Sequence, residues 1–427
     1  MNLAGKIDRH IGFWTGVVAI MACAALALAG CSDDQPNTSS STSLVKPGRD
    51  TEQPSVSTTA QGTVPSNGGY RSAITDTVVE NPAFAALDAD ITDRITKAQL
   101  PGSSLLVLQK GRLVHQQAYG SYDLTTRVPI ASASKWLSGV VIMSLVEEGL
   151  IDLDKPIGTY LAEAKGKPSA AITMRQLVGF TSGLEYDERI PCYKDPAVTL
   201  AECNATILGL PLIGKPGTGY RYGGVHLHVA AGVVEAVTQK TFEQVFQERV
   251  AEPLKMSMTT FTARQNGGAS DGHPAPAGSA VSTLTDYGRF IEMLVHDGMA
   301  PSGERILQSA SVREMSKDQT GDARFVSAAP SRKKAETPYG VAHWLDVVDS
   351  HDIGLVESSP GAFGFRPWID RVNDIAGVYL ILDTDDSHIE DSPDKQPGTP
   401  SVQTSGNFIL VGAAKALGGK VPSPRRR

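Results

Sequence analysis

The chain has 427 residues, of which 41% are hydrophobic, so it can bury a sizeable core and exceeds the usual size of one small domain. Its net charge of -7 gives no electrostatic footprint for nucleic acid, and a basic run, Arg425–Arg427, stands at the C-terminus. We therefore predict one large or two interleaved domains, no nucleic-acid partner and a basic tail at 420–427.

The first thirty residues have the features of a secretory signal peptide. Lys6 and Arg9 precede a mainly apolar stretch at 11–28, and the sequence Leu-Ala-Gly-Cys then ends at Cys31. These four residues resemble the bacterial lipobox, in which the cysteine is acylated and becomes the new N-terminus. We predict a signal peptide at 1–30 and an extracytoplasmic lipoprotein held to a membrane by lipid on Cys31. A plain signal peptide and a membrane anchor are the alternatives.

The stretch 31–77 is rich in Ser, Thr, Pro, Asp and Gly and has few large apolar residues. Such a composition cannot bury enough surface to fold, so we predict a disordered tether there. A folded domain is expected at 78–419, because regular apolar patterns begin near its start and continue to its end.

The folded part is expected to begin with a helix from about Pro82 to Gln99. Two strand-like runs follow at 103–109 and 112–120, and the Lys-Gly pair between them favours a tight hairpin. The next helix begins near Ser132 and ends at Gly149. It is apolar on nearly every side, which predicts burial between other layers.

A mainly helical region is predicted at about 150–297. Its clearest helix opens with a capping box formed by Thr241 and Gln244. Strands return in the last third, most plainly in "DIAGVYLILDT", and a helix at about 401–416 closes the domain. Sheet, helices and sheet again indicate an α+β fold whose two regions interleave along the chain.

Four cysteines are present, one in the signal peptide and one at the predicted anchor. Cys192 and Cys203 remain and can pair in an oxidising compartment. Closing so short a loop would stabilise the fold by about 3 kcal/mol in the chain-entropy account. Two buried free thiols are the alternative.

The pattern Ser-x-x-Lys is weak alone, and it occurs four times. Only Ser132 and Lys135 begin a buried helix; the other copies are Ser43 with Lys46, Ser331 with Lys334 and Ser392 with Lys395. A spacing of three places hydroxyl and amine on one helix face, and the helix N-terminus favours an oxyanion there. The alternative is a capping serine followed by a surface lysine.

Three longer stretches make the pattern more specific. They are "IASASKWLSGVVIMSLVEEGLIDLDKPIGTYL", "ITMRQLVGFTSGL" and "PGTGYRYGGVHLHVAAGVVEAVTQKTFEQVFQERVAEPLKM". In order and spacing they resemble the serine β-lactamase and penicillin-binding-protein family, nearest to its class C β-lactamase, esterase and D,D-carboxypeptidase branch. The resemblance extends from about Asn81 to Gly419. It implies a β-lactamase/transpeptidase-like α+β fold, an antiparallel sheet flanked by helices plus a mainly helical subdomain.

The resemblance also implies roles for individual residues. Ser132 matches the family nucleophile, Lys135 its partner base, and Tyr222 the tyrosine of the Tyr-x-Asn motif, which shares the proton relay. The oxyanion hole would consist of the amide groups of Ser132 and Ala362. The loop closed by the last two cysteines would overhang the cleft and set substrate choice, with a simple surface staple as the alternative.

Two positions depart from the family pattern. Gly224 replaces the Asn of the second motif, so an amide that usually meets the substrate's acyl group is missing. The third motif is best matched by Ser359, Pro360 and Gly361, which lack its usual Lys or His. The cation that would hold a substrate carboxylate is therefore absent there, and Arg366 is a candidate replacement.

Other chemistries have weaker support. The Gly-x-Ser-x-Gly match around Ser270 runs into prolines, whereas a nucleophile elbow needs a helix after its serine. His226 and His228 lie two apart on a predicted helix, which points them to different sides, so we expect surface histidines and no zinc site. No phosphate-binding glycine loop is present.

The sequence thus predicts a serine hydrolase that needs no metal or cofactor and forms an acyl-enzyme on Ser132. The departures favour esters or small amides as substrates, with β-lactams or D-alanyl peptides as near alternatives. A small molecule or a peptidoglycan-derived compound would be the substrate. A cell-envelope lipoprotein that binds peptidoglycan and has lost efficient catalysis is the alternative from another class.

Overall fold

The computed structural model describes Tyr70, Ser72 and the ranges given at the end of this sentence: 74–185, 190–195, 197–261, 274–327, 337–385 and 407–421. The signal peptide, Cys31, most of the predicted tether, Ser270 and the other three Ser-x-x-Lys copies lie outside these residues. Within these ranges, no helix combines the length and apolar character needed to cross a bilayer.

The strands in the described residues are β1 (Gly102–Gln109), β2 (Arg112–Gly120), β3 (Val128–Pro129), β4 (Gly219–Arg221), β5 (Val281–Ser282), β6 (Arg324–Ser327), β7 (Trp344–Val348), β8 (Gly354–Ser358), β9 (Arg366–Asp370) and β10 (Ile375–Ile381). Six of them form an antiparallel sheet in the order β2-β1-β10-β9-β8-β7. The predicted hairpin joins β1 to β2, and Lys110 and Gly111 both have positive φ, as its tight turn requires. Since β10 pairs with β1, the two ends of the domain meet in the sheet centre.

The helices are α1 (Ala85–Lys97), α2 (Ser134–Glu147), α3 (Met174–Val178), α4 (Leu200–Gly209), α5 (Val225–Thr238), α6 (Phe242–Phe246), α7 (Leu284–Val295), α8 (Ser309–Met315) and α9 (Asn407–Ala416). Helices α1 and α9 pack on one face of the sheet, where Trp368 and Tyr379 are buried. On the other face Ile369 and Val378 join the larger core with α2 and α7. Because successive side chains along a strand point to opposite faces of the sheet, the two faces pack into two separate hydrophobic clusters.

Helix α2 lies at the centre of the larger core. All its residues from Ser134 to Leu145 are buried, as the apolar pattern predicts. It contacts α5, α6 and α8.

The predicted capping box at the start of α6 is present, with Thr241 and Gln244 bonded reciprocally. Helix α7 packs on β1, β9 and β10, so the helical region that we predicted to extend to residue 297 gives way to the sheet layer before α7.

The last residues of the predicted tether pack on the folded body. The Tyr70 ring stacks on His296 with centroids 3.7 Å apart, and Ser72 Oγ donates to the Glu292 carboxylate at 2.6 Å. Ile74 is buried in the larger core. Burial of these side chains draws the chain onto α7, so the ordered body begins before the predicted boundary at residue 78.

A disulfide joins Cys192 and Cys203, whose Cα atoms are 5.4 Å apart. It links the turn Pro191–Lys194 to α4. The pairing predicted from the cysteine count is therefore present, and the free-thiol alternative is wrong.

Candidate active site

Ser132 lies on a 3-10 turn, Ala131–Ala133, directly before α2. Ala131 has φ of +44°, a left-handed conformation that is strained for any residue other than glycine. Ser134 holds the turn, because its Oγ donates to the Ala131 carbonyl at 2.6 Å and accepts from the Ala280 amide at 3.1 Å. The strained turn is thus fixed by buried hydrogen bonds next to the predicted nucleophile.

Lys135 is buried, with 4% of its surface exposed, and its Nζ donates to Ser132 Oγ at 2.9 Å. The hydroxyl–amine contact predicted from the spacing is therefore present. Nζ also donates to the Ala277 carbonyl at 2.7 Å and lies 4.9 Å from the centroid of the Tyr222 ring. Two oxygen acceptors and an aromatic face offset the cost of burying this amine.

Tyr222 follows β4 and is half-buried beside this pair. Its ring stacks on Trp344 with centroids 5.2 Å apart, and the ring is the part that contacts Lys135. Among the described residues, the Tyr222 hydroxyl makes no hydrogen bond to Ser132 or Lys135. The three residues converge as predicted, but the phenol is not hydrogen-bonded into a relay.

The third-motif segment packs against the turn that carries Ser132. Ser359 Oγ donates to the Ser132 carbonyl at 3.2 Å. A Cβ on Gly361 would lie 2.3 Å from the Ile130 carbonyl oxygen, so only glycine permits this approach. Within the described part of the chain, neither the Ser132 nor the Ala362 amide donates to an acceptor outside its own turn. Two backbone donors are thus available on neighbouring segments.

Among the described residues, the structure supplies no replacement for the second-motif amide side chain or for the third-motif cation. Gly224 is the N-cap of α5 and presents no side chain. Arg366 pairs with Tyr379 across β9 and β10, and Tyr379 faces α1 and α9. Because residues directly opposite share a sheet face, the Arg366 side chain leaves the sheet away from α2. The suggestion that Arg366 supplies the missing cation is therefore wrong.

The expectation of surface histidines on α5 is also wrong. His226 and His228 are 2% and 0% exposed. His226 Nε2 donates to the Arg221 carbonyl at 2.9 Å, and Nδ1 accepts from Ser182 Oγ at 2.7 Å. Burial, with the positive charges of Arg221 and Lys135, lowers the pKa of His226 to about 4. The spacing of two residues does point the two histidines to different sides of α5, but both sides are buried because other elements surround the helix.

A cluster formed by His343, Glu357 and Arg371 supports α2 from the side of the sheet. The His343 ring stacks on Trp136, the residue after Lys135, with centroids 4.7 Å apart. His343 Nε2 lies 3.6 Å from the Glu357 carboxylate, and Arg371 Nε lies 3.4 Å from it. Burial alone raises the pKa of Glu357, but Arg371 and His343 outweigh it and hold that pKa at about 2.

Several residues that hold the Ser132 site in place belong to no motif that the sequence reveals. Ala277 lies in the Pro-Ala-Pro-Ala segment after the loop that we treated as polar, and Ser138 Oγ fixes the adjoining Pro276 carbonyl at 2.7 Å. From α7, the Tyr287 hydroxyl donates to the Ala133 carbonyl at 2.7 Å. No group of three or more His, Cys, Asp or Glu side chains suited to a metal occurs within the described ranges.

Comparison with known proteins gives three matches of note. Protein flp of Staphylococcus aureus strain MW2 is 27% identical over 197 residues, which are 42% of this chain and 39% of that protein. The match thus spans about two fifths of the curated relative's length. The structure of a candidate β-lactamase from Bacteroides dorei is 28% identical, with a TM-score of 0.70, and the match covers 78% of this chain and 99% of that one. A family VIII carboxylesterase has the same fold, with a TM-score of 0.59 at 16% identity over 72% of this chain and 94% of its own.

The family described as Beta-lactamase matches residues 87–393, most of the folded domain. It includes the six-stranded sheet, helices α2 to α8 and the Ser132 turn described above. The predicted β-lactamase/transpeptidase-like α+β fold is thereby confirmed. The chain belongs to the Beta-lactamase family.

Proposed function

We propose that this protein is a serine hydrolase that forms an acyl-enzyme on Ser132 and acts on uncharged esters or small amides. The observation that carries the proposal is the buried Lys135 Nζ at 2.9 Å from an accessible serine hydroxyl. A nucleophile and a base within hydrogen-bond reach are the minimum equipment for acyl transfer.

In the acylation step, Ser132 Oγ bonds to the substrate carbonyl carbon while its proton passes to the Lys135 amine, which must be unprotonated for that step. The Ala277 carbonyl accepts one N–H of the amine and so holds Nζ beside Ser132. The proton then moves to the leaving alcohol or amine as its bond to the carbonyl carbon breaks. A small movement of the Tyr222 side chain that brings its hydroxyl oxygen to Lys135 Nζ would complete this relay.

The negative charge that develops on the carbonyl oxygen would be held by the amides of Ser132 and Ala362. Both donors belong to the backbone, so they persist despite the altered side chains of the third motif. The N-terminus of α2 adds a favourable dipole at the same place. A water molecule then attacks the acyl carbon and gives one proton to Lys135; as the ester bond to Oγ breaks, the acid product leaves and Lys135 passes that proton to Ser132 Oγ.

The substrate class follows from what the site lacks. Gly224 has no side-chain amide that could bind an acylamino group of a substrate, and Ser359 has no charge that could bind a substrate carboxylate. Both losses weaken recognition of β-lactams and D-alanyl peptides more than they weaken the nucleophile. The carboxylesterase of the same fold supports esters, whereas the Bacteroides dorei relative keeps β-lactams as the second candidate.

The proposal is tested with the purified mature chain, a series of p-nitrophenyl esters, a chromogenic cephalosporin and a labelled penicillin. We expect ester turnover and a mass increase on Ser132 when the acyl-enzyme is trapped by acid. Ser132→Ala should abolish both. Ser144→Ala is the matched control, because this serine lies on α2 and, among the described residues, its Oγ bonds only the Val141 carbonyl of the same helix.

Absence of turnover and of any adduct in the wild-type chain would contradict the hydrolase and favour the peptidoglycan-binding alternative. Sedimentation with purified peptidoglycan would then test that alternative directly. A cephalosporin rate above that of every ester would instead move the assignment to a β-lactamase.

We also propose that the protein is an extracytoplasmic lipoprotein anchored through Cys31, which the lipobox-like Leu-Ala-Gly-Cys supports. Cells fed a labelled fatty acid should incorporate it into the wild-type chain and not into Cys31→Ala. Equal labelling of both would contradict the anchor.

A further inference from the structure

The peptide group between Arg221 and Tyr222 is held from both sides. His226 Nε2 donates to its carbonyl oxygen at 2.9 Å, and its amide, that of Tyr222, donates to the Ser327 carbonyl at 3.1 Å. With both polar atoms bonded, the peptide plane cannot rotate freely. The direction in which the Tyr222 side chain leaves the backbone is therefore set in part by the imidazole.

Phe180 provides a second link between the imidazole and the phenol. Its ring stacks on His226 with centroids 4.9 Å apart and meets Tyr222 edge-on at 5.4 Å. Phe180 has φ of +57°, which is strained for a bulky residue. Such a conformation persists only where its surroundings determine it, and such strain clusters at functional sites.

The Arg221 carbonyl determines which nitrogen of His226 carries the hydrogen, and Ser182 bonds the other nitrogen. A carbonyl can only accept, so Nε2 is protonated toward Arg221 and Nδ1 accepts from Ser182 Oγ at 2.7 Å. The Leu184 amide donates to the same Oγ at 3.2 Å. His226 is 2% exposed, so it acts through its neighbours and does not touch a substrate.

We propose that His226 is a positioning residue: it holds the Tyr222 ring against Lys135 by fixing the Arg221–Tyr222 peptide and stacking on Phe180. The inference rests on the proposed function, because it concerns the same Ser132 site. Its effect should fall on the catalytic step, since proton transfer needs the phenol in place and substrate binding does not.

Three variants of the mature chain separate the contributions. His226→Phe retains a flat ring on Phe180 but removes both hydrogen bonds, and we expect kcat for ester hydrolysis to fall about 10- to 100-fold with little change in KM. His226→Gln places an amide N–H near the former Nε2 and should recover most of kcat. Ser182→Ala should give an intermediate loss, because the imidazole keeps its hydrogen bond to Arg221 and loses only the one from Ser182.

His228→Phe is the matched control. His228 is also buried on α5, but its ring packs edge-on against Tyr193 instead of Phe180. We expect it to lower the thermal midpoint about as much as His226→Phe does while leaving kcat near the wild-type value. Equal loss of activity in both variants, in proportion to lost stability, would mean that His226 is merely structural.

A crystal structure of His226→Phe gives a readout that does not depend on turnover. We expect the Tyr222 ring to move away from Lys135 Nζ, whereas an unmoved ring would overturn the proposal. If His226→Phe does not fold, the structure and kinetics of His226→Gln and Ser182→Ala decide the question in the same way. Failure of the proposed function would be recognised separately, as absence of a wild-type Ser132 adduct while the ring displacement still reports on His226.

Discussion

The two halves of the site are built differently. On the nucleophile half, the Ser132 turn, Lys135 and Ala277 are tied together by buried side-chain hydrogen bonds. On the recognition half, Gly224 has no side chain and Ser359 offers only a hydroxyl. Under the proposed function, this difference means that acyl-transfer chemistry persists while recognition groups are replaced, because the oxyanion donors come from the backbone.

Energetics predicts that the nucleophile half tolerates less change than the recognition half. A buried amine without acceptors is costly, so Lys135, Ser132 and the Ala277 carbonyl depend on one another. A side chain that meets only the substrate can be lost without exposing any buried charge. We therefore expect substitutions on the nucleophile half to alter both rate and folding, and those on the recognition half to alter selectivity.

The largest expected effect is that of Lys135→Met, which breaks the nucleophile half. Removing the base should lower kcat for esters by about 1,000-fold or more. Lys135→Arg should be equally inactive, because a guanidinium keeps the charge but cannot accept a proton. Steady-state kinetics checks the rates, and near-wild-type activity in either variant would remove Lys135 from the mechanism.

Gly361→Ala tests where the two halves meet. Its methyl group would lie 2.3 Å from the Ile130 carbonyl oxygen, so the third-motif segment must shift away from Ser132. A displacement of about 1 Å can cost about 100-fold in rate, and we expect a loss of that order in kcat. Gly209→Ala is the control, since its nearest neighbour would be Lys167 Nζ at 3.8 Å. Equal activity of the two variants would contradict close packing at Gly361.

Removing the disulfide tests whether the loop that it closes, between Cys192 and Cys203, helps to select the substrate. The double variant Cys192→Ser, Cys203→Ser should lower the free energy of unfolding by about 2 to 3 kcal/mol. Chemical denaturation in the absence of reductant measures this loss. We expect unchanged relative rates across the ester series if the loop is only a staple, and altered relative rates if it overhangs the cleft.

The smallest expected effect concerns α7, which supports the nucleophile half through Tyr287. Burial raises the pKa of Glu292 to about 7, with Ser72 and Arg289 acting in the opposite direction. Because the folded pKa lies above the ordinary value, this group's stabilisation is complete below the ordinary value of 4.5 and is lost progressively as pH rises from there through about 7.

Glu292→Gln should therefore flatten the pH dependence of stability by about 1 kcal/mol between pH 6 and pH 8. Its amide oxygen can still accept from Ser72 Oγ, so the packing of the N-terminal segment is kept. Thermal melts across this range check the prediction, and parallel pH profiles of wild type and variant would contradict it.

Much of the fold was accessible from local pattern. The β1–β2 hairpin, the burial of α2 and the capping box of α6 each depend on neighbours within a few residues, and all three are present. The contact between Ser132 and Lys135 belongs to the same class, since helical spacing alone brings the two side chains together. These features follow from the sequence because short-range geometry determines them.

Other features depend on segments that are far apart in the chain. Ala277 reaches Lys135 across more than a hundred residues, and Gly361 packs on Ile130 across a still longer separation. The burial of His226, and the sheet face from which Arg366 projects, were decided by how whole layers stack. The sequence by itself determined the Ser132–Lys135 contact and the elements that carry it. Only the tertiary structure decided what surrounds that pair, because burial and long-range contacts arise when those elements pack.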